Sequence, residues 1–251
     1  MRLALDKHAD LDSPVHRWDP RFKIVGLFAL AFSFALVEDL ILLPAMLAIS
    51  AGLCLLSRLP IKFVRSRLRY PGVFVLFLAV MLPLFSGETA LFGVGPVELR
   101  EEGTLAFALI LCRFVSIVLV GLVIFGTATM HTNVEAMRAL ELPAILADMT
   151  LFSYRYLDEL GDTLTKMRRA TKLRGFEGGR KTPEILSSLV GSLLVRSHER
   201  SGRVYHAMVL RGYGIEKKRG HGFKARRADV AGLVSTLLLA AAFVIAQVVL
   251  S

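Results

Sequence analysis

Five apolar runs alternate with polar segments along the chain. They cover residues 22–37, 40–56, 72–85, 105–126 and 228–250. A helix that crosses a bilayer needs about 20 predominantly apolar residues, a length that the last two runs reach and the first three approach. Only Glu38 and Asp39 separate the first two runs, which predicts a helical hairpin with a short acidic turn. The pattern therefore predicts an all-α membrane protein with about five transmembrane helices.

The large polar segment, residues 127–228, also has helical periodicity. Apolar side chains recur every three or four positions along residues 144–175 and again along residues 183–212. A shorter helix is expected from Asn133 to Leu140, ending near Pro143. We therefore predict a domain of long amphipathic helices inserted before the last span.

The distribution of basic residues predicts how these segments are oriented. Lys and Arg total 31, and they concentrate before the first run, between the second and third runs, and in residues 127–228. Such residues mark the cytoplasmic side of membrane proteins. We expect a multi-pass plasma-membrane protein with a cytoplasmic N-terminus and four spans in residues 1–126. Residues 127–228 would be cytoplasmic, and the last span, residues 229–251, would leave the C-terminus outside.

Composition excludes several other classes of protein. A hydrophobic content of 54% and a mean hydropathy of +0.56 are too high for a typical soluble domain. The net charge of +10 is not accompanied by the exposed aromatic residues of a nucleic-acid binder. Cys54 and Cys112 lie inside apolar runs, which favours core-filling thiols over a disulfide or a metal pair.

A seven-residue pattern, Ala-x-x-Leu-Arg-Gly-aromatic, closes both long amphipathic helices. It occupies Ala170–Phe176 and Ala207–Tyr213. Arg followed by Gly is common at helix C-termini, because the cation favours the negative end of the helix dipole and Gly adopts the left-handed cap. Capping does not explain the repeated Ala or the aromatic residue. The functional interpretation is that Arg174 and Arg211 project from the helix ends and pair with carboxylates of a partner, for which the planar guanidinium is well suited.

Arg113 is the one charged residue of the fourth apolar run. An ionisable residue at that depth is costly and faces a bundle interior or a polar cavity. The preferred interpretation is structural pairing with a backbone carbonyl or a polar neighbour. The alternative is a stand-alone secondary carrier or channel with Arg113 in its pathway.

No motif for catalysis or metal binding accompanies these features. The six histidines are scattered, and there is no His-x-x-x-His or Cys-x-x-Cys pattern. Gly178–Thr182 lacks the spacing of a phosphate-binding loop. We therefore expect neither a metal site nor an enzymatic activity in this chain.

The chain resembles the transmembrane T component of energy-coupling factor (ECF) importers, in particular the CbiQ branch associated with cobalt and nickel uptake. The likeness covers nearly the whole chain. It rests on the two Leu-Arg-Gly ends and on His16–Lys23, Asn133–Pro143, Tyr154–Leu157, Arg200 and Tyr205. In much of that family the motif reads Ala-Arg-Gly, and the Arg-Gly pair is intact here.

The resemblance implies a transporter of several subunits. Two ABC ATPase subunits would bind the two helix ends, while a separate small membrane subunit would bind the substrate. The arginines would anchor the ends in grooves of the ATPases, and the glycines would permit a close approach. The residues implied in ATPase coupling are Ala170, Leu173, Arg174, Gly175, Ala207, Leu210, Arg211 and Gly212.

The resemblance also implies a surface for the substrate-binding subunit on the amphipathic faces of the two helices. Its residues would be Met149, Phe152, Tyr156, Leu160, Leu164, Met167, Leu186, Leu189, Leu193 and Met208. Cobalt or nickel would be bound by that subunit, and ATP with Mg²⁺ by the ATPases, so this chain would hold no cofactor. Membrane lipid would be a further partner.

Overall fold

The computed structural model describes residues 11–85, 90–94, 97–175, 182–214 and 225–250. Helices account for most of these residues, which confirms the predicted helical fold. The helices are α1 (Pro20–Ala35), α2 (Leu43–Leu56), α3 (Ile61–Phe85), α4 (Glu101–Gly126), α5 (Met130–Ala139), α6 (Ala144–Leu173), α7 (Thr182–Leu210) and α8 (Arg227–Leu250).

The first two helices form the predicted hairpin. α1 begins after Asp19, whose side chain accepts a hydrogen bond from the Arg21 amide, and Pro20 occupies the first helical position. A 3-10 turn at Leu40–Leu42 leads directly into α2. The helices have 16 and 14 residues, or about 24 and 21 Å at a rise of roughly 1.5 Å per residue. Each is shorter than the hydrocarbon core of a bilayer, which is about 30 Å thick.

The third helix differs from the prediction. The sequence predicts a cationic loop at Arg58–Arg69 followed by a span at residues 72–85, whereas the structure has one continuous helix, α3, of 25 residues. Lys and Arg are good helix formers. The positive charges therefore interrupt the apolar pattern without interrupting the helix.

The connection between α3 and α4 also differs from the prediction. The sequence predicts a loop there, because the segment is rich in Gly, Pro and Glu. Instead, β1 (Ala90–Val94) pairs with β2 (Val97–Arg100) in an antiparallel hairpin, with Val94 opposite Val97. Gly and Pro also occur in the tight connections between strands, so the same composition is compatible with a hairpin.

The chain divides into two compact units. The large unit comprises Leu5–Glu141 and Phe223–Ser251, and the α6–α7 unit comprises Leu142–Gly222. The short helix α5 packs against α1 and so belongs to the large unit. The sequence pattern instead places α5 with the long amphipathic helices, in residues 127–228.

The core of the large unit is centred on α1. This helix packs against α8, α4 and α5, while α2 and α3 pack against α4. The Phe34 and Phe243 rings meet edge to face with their centroids 5.2 Å apart, which joins α1 to α8. The fully buried apolar side chains include Leu27, Leu30, Phe34, Met46, Val120 and Val123.

Two helical segments in the described part of the chain are long and apolar enough to cross a membrane. They are Gly103–Gly126 of α4 and Arg227–Leu250, which is the whole of α8. A shorter apolar segment covers Leu40–Leu56. The total of five spans therefore remains a prediction.

Candidate functional site

The first Leu-Arg-Gly sequence forms the C-terminal cap of α6. The Arg174 amide donates to the Ala170 carbonyl at 3.2 Å, and the Gly175 amide donates to the Lys172 carbonyl at 3.0 Å. Gly175 has φ of +82°, in the left-handed region that favours glycine. A Cβ at this position would meet nothing within 4 Å. Within this chain, the backbone conformation and not the space requires glycine.

The second copy caps α7 in the same way. Gly212 has φ of +81°, and its amide donates to the Val209 carbonyl at 2.9 Å. The next amide, of Tyr213, donates to the Met208 carbonyl at 3.0 Å. These two bonds are the pair that defines a Schellman cap, so the helix-end interpretation accounts for both glycines.

Capping does not account for the side chains that precede the glycines. Leu173 and Leu210, at equivalent positions, are both 88% exposed. Arg174 and Arg211 are exposed as well, and neither has an ion-pair partner among the described residues. Each helix end thus exposes to solvent a leucine side chain and, next to it, an arginine that forms no ion pair with the described residues. Ala170 and Ala207, in the preceding turn, are also exposed.

The two helix ends lie at opposite ends of the α6–α7 unit. The Tyr213 hydroxyl donates to an Asp148 carboxylate oxygen at 3.1 Å, which places the end of α7 beside the start of α6. Arg174 lies at the other end of α6. At about 1.5 Å per residue, the distance along the helix from Asp148 to Arg174 is about 40 Å.

A second contact joins the middle of the two helices. Arg200 of α7 forms an ion pair with Glu159 of α6. Its guanidinium carbon also lies 5.3 Å from the centroid of the Tyr156 ring, a cation–π distance. Together with the Tyr213–Asp148 bond, this contact shows that α6 and α7 are antiparallel.

The residues predicted to contact the substrate-binding subunit divide into an exposed group and a half-buried group. Tyr156 contributes to the packing of α6 against α7 through Arg200. Met149 and Leu186 are exposed. The residues that are half-buried are Phe152, Tyr156, Leu160, Leu164, Met167, Leu189, Leu193 and Met208.

Part of the apolar pattern that the sequence predicts on α7 forms an exposed row. It continues from Leu186 in steps of four residues through Val190 and Leu194, and Tyr205 and Val209 extend it toward the end of the helix. The half-buried Leu189, Leu193 and Met208 lie on the neighbouring face of the helix. The four-residue spacing places the members of the exposed row on one side of α7.

The aromatic and charged residues at the start of α1 have partners inside the large unit. The Trp18 indole donates to the Asp229 carbonyl at 3.0 Å. The Asp19 amide donates to the Asp229 carboxylate at 3.2 Å. A Cβ added at Gly232 would lie 3.0 Å from the Trp18 ring. Trp18 therefore joins α1 to α8 within the large unit.

Lys23, four residues after Asp19, is fully buried. Its ammonium group donates to the Thr127 hydroxyl at 2.9 Å and approaches the Thr127 carbonyl at 3.5 Å. The Thr127 hydroxyl in turn donates to the Val123 carbonyl at 2.6 Å. This lysine therefore fastens the start of α1 to the end of α4.

The pKa of the Asp19 carboxyl lies below its ordinary value. Burial opposes ionisation and by itself would raise this pKa. Hydrogen bonds from the side chain and the backbone of Arg21 favour the charged form and outweigh the burial.

Arg113 of α4 has a backbone partner. Its guanidinium donates to the Val37 carbonyl, just beyond the end of α1. No group among the described residues accepts a hydrogen bond from the buried Nε of Arg113. The contact with the carbonyl is the structural pairing that the sequence analysis preferred.

Comparison with known proteins identifies the family. The profile of the CbiQ family, described as cobalt transport protein, matches residues 12–221. The chain belongs to this CbiQ/EcfT family. The matched range contains both Leu-Arg-Gly ends and the residues that surround the start of α1.

Individual relatives agree with this assignment. The chain is 27% identical to the energy-coupling factor transporter transmembrane protein EcfT of Listeria innocua, over 95% of this chain and 96% of that protein. It is 26% identical to the EcfT protein of Bacillus subtilis over the same shares. A putative ABC transporter ATP-binding protein of Bifidobacterium longum is 28% identical over 56% of this chain and 18% of its own length.

Proposed function

We propose that this chain is the energy-coupling transmembrane subunit of an ECF-type ABC importer. It links two ATPase subunits to a small substrate-binding membrane subunit and has no enzymatic activity of its own. The observation that carries this proposal is the repeated Leu-Arg pair, exposed and similarly capped at both ends of the α6–α7 unit.

The separation of the two helix ends supports two docking sites over one. They are about 40 Å apart along α6, a distance comparable to the diameter of a small protein domain. Arg174 and Arg211 would each pair with carboxylates in a groove of one ATPase, and the adjacent Leu173 and Leu210 would enter an apolar part of that groove. Burial of one Leu side chain contributes about 1.5–3 kcal/mol.

The exposed apolar row of α7 is the surface that we propose for the substrate-binding subunit. It includes Leu186 of the predicted set and extends that set by Val190, Leu194, Tyr205 and Val209. Met149 of α6 is exposed and joins the proposed surface. The half-buried members of the predicted set are partly covered already and would supply less of the interface.

Cobalt or nickel is the substrate that we propose: the description of the matched family names cobalt, and nickel follows from the resemblance to the CbiQ branch. The metal ion would be bound by the substrate-binding subunit, and ATP with Mg²⁺ by the ATPases. Uptake of radioactive cobalt, nickel and a vitamin by cells that express the complete importer would distinguish these substrates. Uptake of a vitamin alone would contradict the metal assignment.

We also propose that the large unit crosses the plasma membrane five times, through α1, α2, α3, α4 and α8. The N-terminus would be cytoplasmic and the C-terminus outside, as the basic residues predict. Labelling of single cysteines from either side of the membrane tests this topology. Labelling from the outside of a cysteine at Leu11, an exposed residue ahead of α1, would contradict it.

The stand-alone carrier is not favoured by the geometry of Arg113. Its guanidinium is engaged by the Val37 carbonyl, as expected for a structural residue. Flux of metal ions into vesicles that contain this chain alone would support a carrier, whereas we expect none.

Alanine substitution of the two arginines tests the proposal. Arg174→Ala and Arg211→Ala, made together, should abolish ATP-driven uptake and release the ATPases during purification in mild detergent. The matched controls are Arg168→Ala on α6 and Arg203→Ala on α7, which remove exposed arginines outside the motif. If the double variant kept full uptake and its ATPases, the proposal would be wrong.

A further inference from the structure

A groove lies between α3 and α4, beside the end of the apolar span of α4. Its volume is about 250 Å³, close to the lower limit of small-molecule pockets. The wall formed by α4 consists of apolar residues and glycine, and the wall formed by α3 contributes the Phe63 ring. The walls include Phe63, Val118, Gly121, Leu122 and Phe125.

The groove is open toward the surroundings of the protein. A Cβ added at Gly121 would meet nothing within 4 Å, so the floor of the groove has free space above it. Phe125, at the rim, is 48% exposed although it belongs to an apolar span. The surface is therefore an apolar cleft on a segment that is long and apolar enough to lie in a membrane.

One cationic side chain lines the same groove. Arg67 lies one helical turn beyond Phe63 on α3, and its guanidinium carbon is 5.6 Å from the centroid of the Phe63 ring. In the described part of the chain, Arg67 has no ion pair with a carboxylate. Its N–H donors are available to a ligand that also fits an apolar cleft.

The depth of Arg67 matches the boundary between lipid tails and headgroups. A Cβ at Gly126, the last residue of the apolar span, would lie 3.6 Å from the Phe63 ring. Arg67 lies about 6 Å from Phe63 along α3. An arginine at this depth reaches the headgroup level by extending its side chain.

Other basic residues in the N-terminal half of α3 add to the positive electrostatic potential near the groove but do not line it. These exposed basic residues recur at intervals of three or four positions and so share one side of the helix. They are Lys62, Arg65 and Arg69. Each basic residue near a membrane surface contributes to the attraction of anionic lipid.

We propose that this groove binds one anionic phospholipid, with an acyl chain along the apolar walls and the headgroup phosphate on the Arg67 guanidinium. The ligand must be amphipathic because the groove joins apolar walls to a single cation. Arginine forms bidentate hydrogen bonds with phosphate oxygens, which adds geometric specificity to the charge attraction. A free phosphate would leave the apolar walls bare.

The test measures lipid retention by native mass spectrometry of the full chain in mild detergent. The probes are phosphatidylglycerol and phosphatidylcholine with the same acyl chains, and glycerol phosphate as the headgroup alone. We expect one phosphatidylglycerol to be retained, about fivefold more strongly than phosphatidylcholine. Competition by glycerol phosphate at equal concentration would overturn the proposal, since it would show that the acyl chain contributes nothing.

Two substitutions distinguish the contribution of the Arg67 charge to lipid binding from that of the apolar cleft. Arg67→Gln should reduce the retention of phosphatidylglycerol to about that of phosphatidylcholine, whereas Arg65→Gln, outside the groove on the exposed side of α3, should reduce it by a much smaller factor. Gly121→Leu fills the cleft and should reduce retention of both lipids severalfold. Gly52→Leu adds the same side chain to open space on α2 and should not reduce it.

Wild-type retention by Arg67→Gln would overturn the proposal, and so would wild-type retention by a folded Gly121→Leu. If Gly121→Leu failed to fold, as judged by size-exclusion chromatography, the result for Arg67→Gln alone would decide. A photo-cross-linking residue at Val118 provides an independent readout in membranes that contain the whole importer. Capture of a protein subunit there, instead of lipid, would also overturn the proposal.

Discussion

The start of α1 and the two ends of the α6–α7 unit each combine a large apolar side chain with a cationic one. These side chains have partners within the chain at the start of α1 but are exposed at the two helix ends. At the start of α1, Trp18 and Lys23 find partners within the chain, on α8 and at the end of α4. At the helix ends, Leu173 and Leu210 are exposed beside arginines without ion pairs among the described residues. Groups satisfied internally stabilise the fold, whereas groups left exposed in two equivalent places indicate a partner. The following substitutions test this difference, from the largest expected effect to the smallest.

Gly26→Leu should strongly destabilise the large unit and lower the yield of folded protein severalfold. A Cβ at Gly26 would lie 2.3 Å from the Thr236 hydroxyl of α8, and overpacking of a close helix contact typically costs 1–3 kcal/mol or more. The yield of monodisperse protein after size-exclusion chromatography measures the effect. The matched control is Gly161→Leu on α6, where a Cβ meets nothing within 4 Å. Equal yields from both variants would contradict close packing of α1 against α8.

Lys23→Ala should lower the free energy of unfolding by about 2–4 kcal/mol, because it leaves a cavity between α1 and the end of α4. Lys23→Met keeps most of the volume and should cost less, since the Thr127 hydroxyl retains its bond to the Val123 carbonyl. Thermal unfolding monitored by fluorescence compares the two variants. A wild-type transition temperature for Lys23→Ala would show that the lysine does not join these helices.

Gly175→Ala and Gly212→Ala should each cost about 1 kcal/mol, because alanine at φ near +80° is strained. The effect should be confined to the helix end, so the large unit should keep its transition temperature. Hydrogen exchange of the last turn of α6 or α7 measures the local change. Protection equal to the wild type would contradict the left-handed caps.

The smallest expected effect concerns the pH dependence of Asp19. Its pKa in the folded protein is below the ordinary value, so its contribution to stability is present above pH of about 4 and is lost as the pH falls through the folded pKa. Asp19→Asn should remove this part of the pH dependence. Transition temperatures measured between pH 6 and pH 3 make the comparison, and parallel curves for the two proteins would contradict the assignment.

The sequence predicted helix ends better than helix contacts. Gly175 and Gly212 were identified as ends because a left-handed cap is a local property of a few residues. The bond between Trp18 and Asp229 joins positions more than 200 residues apart, and no local pattern indicates it. The sequence therefore does not predict this interhelical contact.

Two further differences have local causes. The basic residues of Arg58–Arg69 interrupted the hydrophobic pattern, although their helix propensity allows α3 to continue through them. On α7, the periodicity predicts both apolar rows, and only the burial of individual side chains distinguishes the exposed row from the half-buried one. Hydrophobic spacing predicts that a helix has an apolar face but does not show which other element covers it.

Photo-cross-linking from the two exposed leucines tests the central claim most directly. A benzophenone side chain at Leu173 or at Leu210, in membranes that contain the whole importer, should capture an ATPase subunit, and a chain labelled at both positions should capture two. The matched control position is Leu157, an exposed leucine in the middle of α6, which should capture none. Capture only within the same chain, or equal capture from Leu157, would contradict the account.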